Sequence, residues 1–176
     1  MIQVKDKSFE ILFIQQQIEN RILELSDLLT QHYKGKNPLF IAVLNGSFMF
    51  AAELFKNCNI EAEITFIRVK SYANITSTGT VTEVIGLVEN IENRDVILLE
   101  DIVDTGITIS NILNQLAAYK PKSIKIASLL FKPKALLKPI EVDYVGFEIE
   151  PKFVIGYGLD YDGLGRNLGD IWVLKE

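Results

Sequence analysis

The sequence predicts an open α/β fold, a mainly parallel sheet with helices on both faces and a small hood drawn from the chain ends. Three observations carry this. Short unbroken apolar runs at residues 39–44 and 96–99 have the form of strands buried on both sheet faces. Segments with apolar residues at helical spacing alternate with such runs, the pattern of a parallel sheet covered by its crossover helices. Five of the 11 glycines fall after residue 155, so the tail reads as turns and short strands rather than another strand-helix unit.

Along the chain, Ile18, Ile22, Leu25 and Leu29 recur at helical spacing and predict a helix over residues 15–33, ended by Gly35 and Pro38. Residues 39–44 then form a buried strand, and Asn45-Gly46-Ser47 turns the chain into a second helix ending near Asn57. Residues 60–70 alternate and are rich in β-branched side chains, which predicts a strand. Residues 71–82 carry Ser, Thr, Asn and Gly with almost no apolar anchor, so a mobile loop or loose hairpin is expected. Residues 84–88 predict a strand, and 96–99 the clearest central one. Ile109, Ile112, Leu113 and Leu116 mark the next helix, Pro121 closes it, and residues 124–131 resume the sheet. The expected organisation is one domain over residues 1–176, with a core over about 8–142 and a hood from about 1–7 and 143–176. In such a sheet, ligands sit outside the carboxyl ends of the strands.

Composition narrows the function. The 176 residues are 48% hydrophobic and 23% charged, which fits a globular domain and opposes a disordered or fibrous chain. Cys58 is the one cysteine and His32 the one histidine, so an internal disulfide and a zinc cluster are both excluded. Eighteen Lys and Arg against 23 Asp and Glu give a net charge of -5, which opposes general attraction to nucleic acid or an anionic membrane. Any phosphate binding must come from local geometry. The first residues lack an apolar signal core, and no apolar run approaches the roughly 18 residues of a membrane span. A cytoplasmic setting without membrane or nucleic-acid partners is expected.

The segment that carries chemistry runs from Val96 to Thr108. A four-residue apolar strand delivers Glu100 and Asp101, then Asp104, then the small-residue turn Thr105-Gly106-Ile107-Thr108 that opens a helix. Unpaired amides and the dipole at such a helix start can hold a phosphate without a lysine. The adjacent carboxylates would repel phosphate, so they suit vicinal hydroxyls, as on a ribose. The ligand implied is a sugar phosphate. Taken singly, Asp101 or Asp104 reads as a helix cap and Thr-Gly as a turn; the full string on a strand-loop-helix is what points to a site. Walker A spacing is absent, and Gly163-Leu164-Gly165 lacks the third glycine of a dinucleotide fingerprint.

This string resembles the phosphoribosyl pyrophosphate signature of the type I phosphoribosyltransferases, and the likeness spans nearly the whole chain. It is nearest to the purine-salvage members acting on hypoxanthine and guanine. Leu44-Asn45-Gly46-Ser47-Phe48 resembles their pyrophosphate loop, and Ser71-Tyr72 with Ser77-Thr78-Gly79 their mobile catalytic loop. Residues 129–133 and 145–149 resemble the segments flanking the base site, and residues 152–161 with Arg166 the base and leaving-group segment. The resemblance implies the type I phosphoribosyltransferase fold. It also implies that Asp104 to Thr108, Ile107 included, hold the 5'-phosphate while Glu100 and Asp101 face the ribose. Asp104 would also manage the purine N7 proton as the catalytic residue. Asn45, Gly46, Ser71, Tyr72 and Arg166 would serve the pyrophosphate end. Lys132 would meet the 6-oxo group, Phe153 stack on the ring, the Val154 backbone meet its exocyclic edge, and Asp160 complete the base site. Mg²⁺ is the implied cofactor, with Asp160, Glu100 and Asp101 as its side-chain contacts.

Each assignment has a bland counterpart: a solvated Lys132, a core Phe153, a solvated Asp160, and an Arg166 paired with Asp162 or Asp170. Asn45 stands where many family members carry a basic residue, and some members have a non-proline cis peptide at this loop. The implied reaction joins phosphoribosyl pyrophosphate to N9 of hypoxanthine or guanine, giving IMP or GMP and pyrophosphate, in a homodimer or homotetramer. The alternatives are a phosphoribosyl pyrophosphate-sensing RNA-binding regulator of the same fold and a transferase for another base such as xanthine.

Overall fold

The computed structural model describes residues 1–73 and 80–175. Its elements are β1 (Ile2–Val4), β2 (Lys7–Phe13), α1 (Gln15–Tyr33), β3 (Leu39–Leu44), α2 (Phe48–Asn57), β4 (Glu63–Ala73), β5 (Thr80–Ile85), β6 (Asp95–Val103), α3 (Ile107–Ala117), β7 (Ser123–Phe131), β8 (Tyr144–Glu148), β9 (Val154–Ile155) and β10 (Ile171–Leu174). The main sheet has six strands in the order β5-β4-β3-β6-β7-β8. Every neighbouring pair in it is parallel except β4–β5.

The two-residue period of a strand divides its side chains between the two faces. On one face Phe40 and Ala42 of β3, Ile97 and Leu99 of β6 and Leu129 of β7 pack against Ile18, Ile22, Leu25 and Leu29 of α1 and Phe50 and Leu54 of α2. On the other, Leu39, Ile41 and Val43 of β3 with Val96 and Leu98 of β6 meet Ile109, Ile112 and Leu116 of α3. This is why β3 and β6 read as continuous apolar runs. Leu99 is fully buried, so truncating it to Ala would destabilise the fold by about 2–5 kcal/mol.

The expected end of α1 is present: Gly35 adopts φ 73°, the left-handed conformation that closes many helices. At its start, the Gln15 amide donates to Asp170 Oδ1 at 2.8 Å, so the tail supplies the acid that caps the helix. Arg21 of α1 reaches the outer edge of β8, where Nε donates to the Gly146 carbonyl and Nη2 to the Val145 carbonyl, each at 2.9 Å. An edge strand otherwise offers such groups to other chains.

The hood is a four-stranded antiparallel sheet in the order β1-β2-β10-β9 around Phe9, Ile155 and Trp172. Two boundaries differ from the sequence expectation. β2 belongs to the hood, because Phe9 supplies its core and both edges of the strand are paired there. β8 belongs to the main sheet, lying parallel to β7. Of the segment at 71–82, expected as a loop or loose hairpin, residues 71–73 and 80–82 form part of the antiparallel β4–β5 hairpin, with Ser71 opposite Thr82 and Tyr72 opposite Val81, and residues 74–79 lie outside the described residues. An antiparallel edge can face water, so it needs few apolar anchors. For the same reason β5 begins before the expected residue 84. Ser77-Thr78-Gly79 lie outside the described residues.

Candidate active site

β6 carries its acids to the carboxyl end of the main sheet. Glu100 is buried, and desolvation, followed by the neighbouring Asp101 charge and a hydrogen bond to Asp101, holds its carboxyl well above the usual range. Burial raises Asp101 as well, partly offset by the Ile102 amide, which donates to Asp101 Oδ1 at 3.0 Å, and by Arg166. Both acids are thus pushed toward the protonated form, Glu100 the more strongly. Buried acids placed so unfavourably for stability mark a functional site more often than a structural one.

Beyond Val103 the chain turns through Asp104, Thr105 and Gly106 into α3. Gly106 has φ 76°, and a Cβ there would sit 3.0 Å from both Ile140 Cγ1 and the Lys138 carbonyl, so glycine is required by both conformation and space. The Leu137 and Lys138 amides donate to the Thr105 carbonyl at 2.9 and 3.2 Å, fixing the turn from below. A cavity of about 230 Å³ opens here, lined by Glu100, Asp104, Thr105, Gly106 and Thr108 among others. A second, of about 250 Å³, is lined by Asp101, Asp104, Lys132, Phe153, Val154 and Asp160 among others. Ile102 and Asp104 belong to both. The site is thus a two-part cleft folded around one aspartate, one part walled by a helix start and the other by an aromatic ring.

Lys132 is not the solvated surface lysine that its type suggests. It is 6% exposed, its amide donates to the Val103 carbonyl at 3.0 Å, and its Nζ donates to Asp104 Oδ2 at 2.7 Å. The adjacency of β6 and β7 makes this contact across 28 residues of sequence. Phe153 is 43% exposed, so it is not core. Val154 lies on β9, the edge of the hood sheet, with one side of its backbone turned away from β10.

The loop after β3 lies over the acids. The Leu44–Asn45 peptide is cis. A Cβ on Gly46 would fall 1.5 Å from Asp101 Oδ2, and one on Gly158 would fall 2.0 Å from the Gly46 carbonyl oxygen. The loop is therefore wedged between Asp101 and the turn at Gly158, and only glycines allow the approach. Ser47 Oγ donates to the Val43 carbonyl at 2.6 Å and holds the loop from inside. Arg166 donates through Nη1 to the Gly158 carbonyl at 2.6 Å and pairs with Asp160 Oδ1 at 2.5 Å, while Asp160 Oδ2 accepts from the Gly163 amide at 2.7 Å. Asp160, rather than Asp162 or Asp170, is Arg166's partner.

One cation escaped the sequence reading. Arg68, opposite Leu44 in the β3–β4 register, donates through Nη2 to Asn45 Oδ1 at 2.9 Å. A guanidinium thus stands at the loop although residue 45 carries no charge. The available signal was the parallel pairing, which puts the end of one strand beside the end of the next. Ser71 and Tyr72 lie on β4, continuing the strand that carries Arg68.

Among the described residues, no group of three or more His, Cys, Asp and Glu is gathered to hold a metal, and no helix is long and apolar enough to cross a membrane. The donors at the cleft suit a hard cation that keeps its waters and takes most other ligands from a substrate.

The family model of the phosphoribosyl transferase domain matches residues 8–162. A hypoxanthine-guanine phosphoribosyltransferase of Streptococcus thermophilus is 44% identical over 168 residues, which cover 95% of this chain and 93% of that protein. A hypoxanthine-guanine-xanthine phosphoribosyltransferase of Tritrichomonas foetus is 42% identical over 169 residues, covering 94% and 91%. The crystal structure of a hypoxanthine phosphoribosyltransferase from Staphylococcus aureus superposes with a TM-score of 0.88 at 40% identity, covering 94% of this chain and 91% of that one. With its acids at the end of β6, its glycine-opened helix start and its wedged loop, the chain belongs to the phosphoribosyltransferase family of purine-salvage enzymes.

Proposed function

We propose that this enzyme transfers the 5-phosphoribosyl group from phosphoribosyl pyrophosphate to N9 of hypoxanthine or guanine, giving IMP or GMP and pyrophosphate. The observation that carries the reading is the two-part cleft sharing Asp104, with the Thr105–Thr108 helix start on one side and Lys132 with Phe153 on the other. A phosphate monoester held by the amides and hydroxyls of Thr105, Gly106, Ile107 and Thr108 leaves a ribose beside Glu100 and Asp101. The purine then lies against Phe153, with its 6-oxo oxygen toward Lys132 and N7 toward Asp104. A buried ammonium favours a carbonyl oxygen over an amino group, which selects 6-oxopurines over adenine.

In the reaction, the bond from C1' to the pyrophosphate oxygen breaks and that from C1' to N9 forms. Asp104 accepts the proton that leaves the base at N7, and its 2.7 Å contact with Lys132 fixes where that carboxylate stands. Fixing the phosphate and the ring places N9 in line with C1'. Asn45, Gly46, Arg68 and Arg166 receive the pyrophosphate, and Ser71 and Tyr72 are assigned to the same end. Mg²⁺ bound with the diphosphate would neutralise its departing charge. Asp160, Glu100 and Asp101 are the side chains that would hold that ion, directly or through its waters. We place the enzyme in the cytoplasm as a homodimer or homotetramer, a state that light scattering measures.

The test is pyrophosphate release with Mg²⁺ and a panel of hypoxanthine, guanine, xanthine and adenine. Release with hypoxanthine or guanine and little with adenine is expected. Release with adenine alone, or with no base, would overturn the reading.

A further inference from the structure

We infer that the turn joining β1 to β2 is a clamp that sets the Phe153 ring plane, acting through Tyr161. The inference rests on Phe153 as the base-stacking platform. A platform that is 43% exposed must be oriented from behind, because a ring that tilts loses its contact with the base. Two rings stand behind it. Phe9, fully buried, lies 6.4 Å away, and Tyr161 stands T-shaped to Phe153 at 5.8 Å and 80°.

Tyr161 is held in turn by the N-terminal segment. Its hydroxyl donates to Asp6 Oδ1 at 2.8 Å, and Lys7 Nζ stands 5.6 Å from its ring centroid. Lys5 pairs with Asp162, the next residue. The hydrogen bonds within this turn, Tyr161 amide to Leu164 carbonyl and Leu164 amide to Tyr161 carbonyl, fix its shape. Its place on the hood is set by the packing of Tyr161 on Phe9, 6.4 Å between ring centroids, and by the contacts from residues 5–7. Neither Asp6 nor Tyr161 lines the base cavity, so both act as positioning residues. Exposed pairs of this kind add little to stability, so the effect belongs in the geometry of the site.

The experiment compares Tyr161→Phe, Asp6→Ala and Asp6→Asn in the full-length enzyme, with Phe153→Ala as reference. KM for hypoxanthine should rise about three- to tenfold in Tyr161→Phe and Asp6→Ala, the span an oriented aromatic contact carries. Asp6→Asn keeps an acceptor for the hydroxyl and should restore the KM. kcat, KM for phosphoribosyl pyrophosphate and melting temperature should stay close to wild type. Unchanged hypoxanthine KM in Tyr161→Phe and Asp6→Ala, with Phe153→Ala impaired, overturns the clamp alone. An unimpaired Phe153→Ala removes the stacking platform and the clamp with it. A fall in kcat and melting temperature that Asp6→Asn fails to rescue reduces the contacts to a structural role and overturns the inference.

Discussion

Asp104 and Lys132 meet at 2.7 Å where the two parts of the cleft join, and in the proposed reaction the purine shares that contact. Asp104→Asn keeps the shape but cannot take the N7 proton. Its kcat should fall about 10²- to 10⁴-fold, with KM for phosphoribosyl pyrophosphate changing far less; an unchanged steady-state rate would remove Asp104 from the chemistry. Glu100 makes a different prediction. Its carboxyl is raised in the folded chain chiefly by desolvation, whereas the unfolded chain ionises it near about 4.3. The stability it contributes is full below that value and is lost as pH rises through the folded value. Glu100→Gln should therefore melt higher than wild type at pH 7, by an amount that shrinks toward pH 4, while binding phosphoribosyl pyrophosphate more weakly. Thermal scans at the two pH values check the sign, and a Glu100→Gln that melts lower at pH 7 contradicts it. The acids were legible in the sequence because they follow one strand in one string. The Lys132 contact and the Arg68–Asn45 bond were not, because strand order brings those partners together.

At the scale of elements, β3 and β6 could be read because both faces are buried and every position is apolar. The β4–β5 hairpin could not be delimited, because an edge pair half in water carries no such pattern. The sequence places residues 144–148 in the hood for a related reason. Gly146 made the segment look like the tail, yet a Cβ there would lie 2.3 Å from the Leu129 carbonyl oxygen, so the glycine serves close strand packing. Arg21 holds β8 through the Val145 and Gly146 carbonyls, and the latter faces the free edge of the sheet. Arg21→Ala removes both bonds, which should destabilise the protein by about 1–3 kcal/mol and increase concentration-dependent association. Denaturant unfolding and light scattering measure the two effects; no change in either would show that water replaces the arginine without loss.

For the whole molecule, the hood adds a second wall to a strand-end crevice. It brings Phe153, Val154 and Asp160 over Asp104, and Asp170 ties it to α1. The sequence showed that the chain ends build it, and its own core of Phe9, Ile155 and Trp172 explains why β2 joins it. The assembled fold also buries groups that ionise in alkali. Burial pushes the Cys58 thiol up to about 11 and raises Tyr33 and Tyr157. In the unfolded chain these groups ionise at about 8.5 and 10, so stability holds below the first value and falls as pH rises through the folded ones. Denaturation midpoints should decline from about pH 8.5 upward, and Cys58→Ala should delay the onset; a midpoint flat to pH 11 would contradict the burial of these side chains. The central claim, that amides at the start of α3 hold the 5'-phosphate while the β6 acids hold the ribose, is tested most directly by a crystal structure of the enzyme with IMP. The account predicts phosphate oxygens within hydrogen-bond distance of the turn from Thr105 to Thr108, with the purine against Phe153; a nucleotide bound elsewhere, leaving that turn to water, would contradict it.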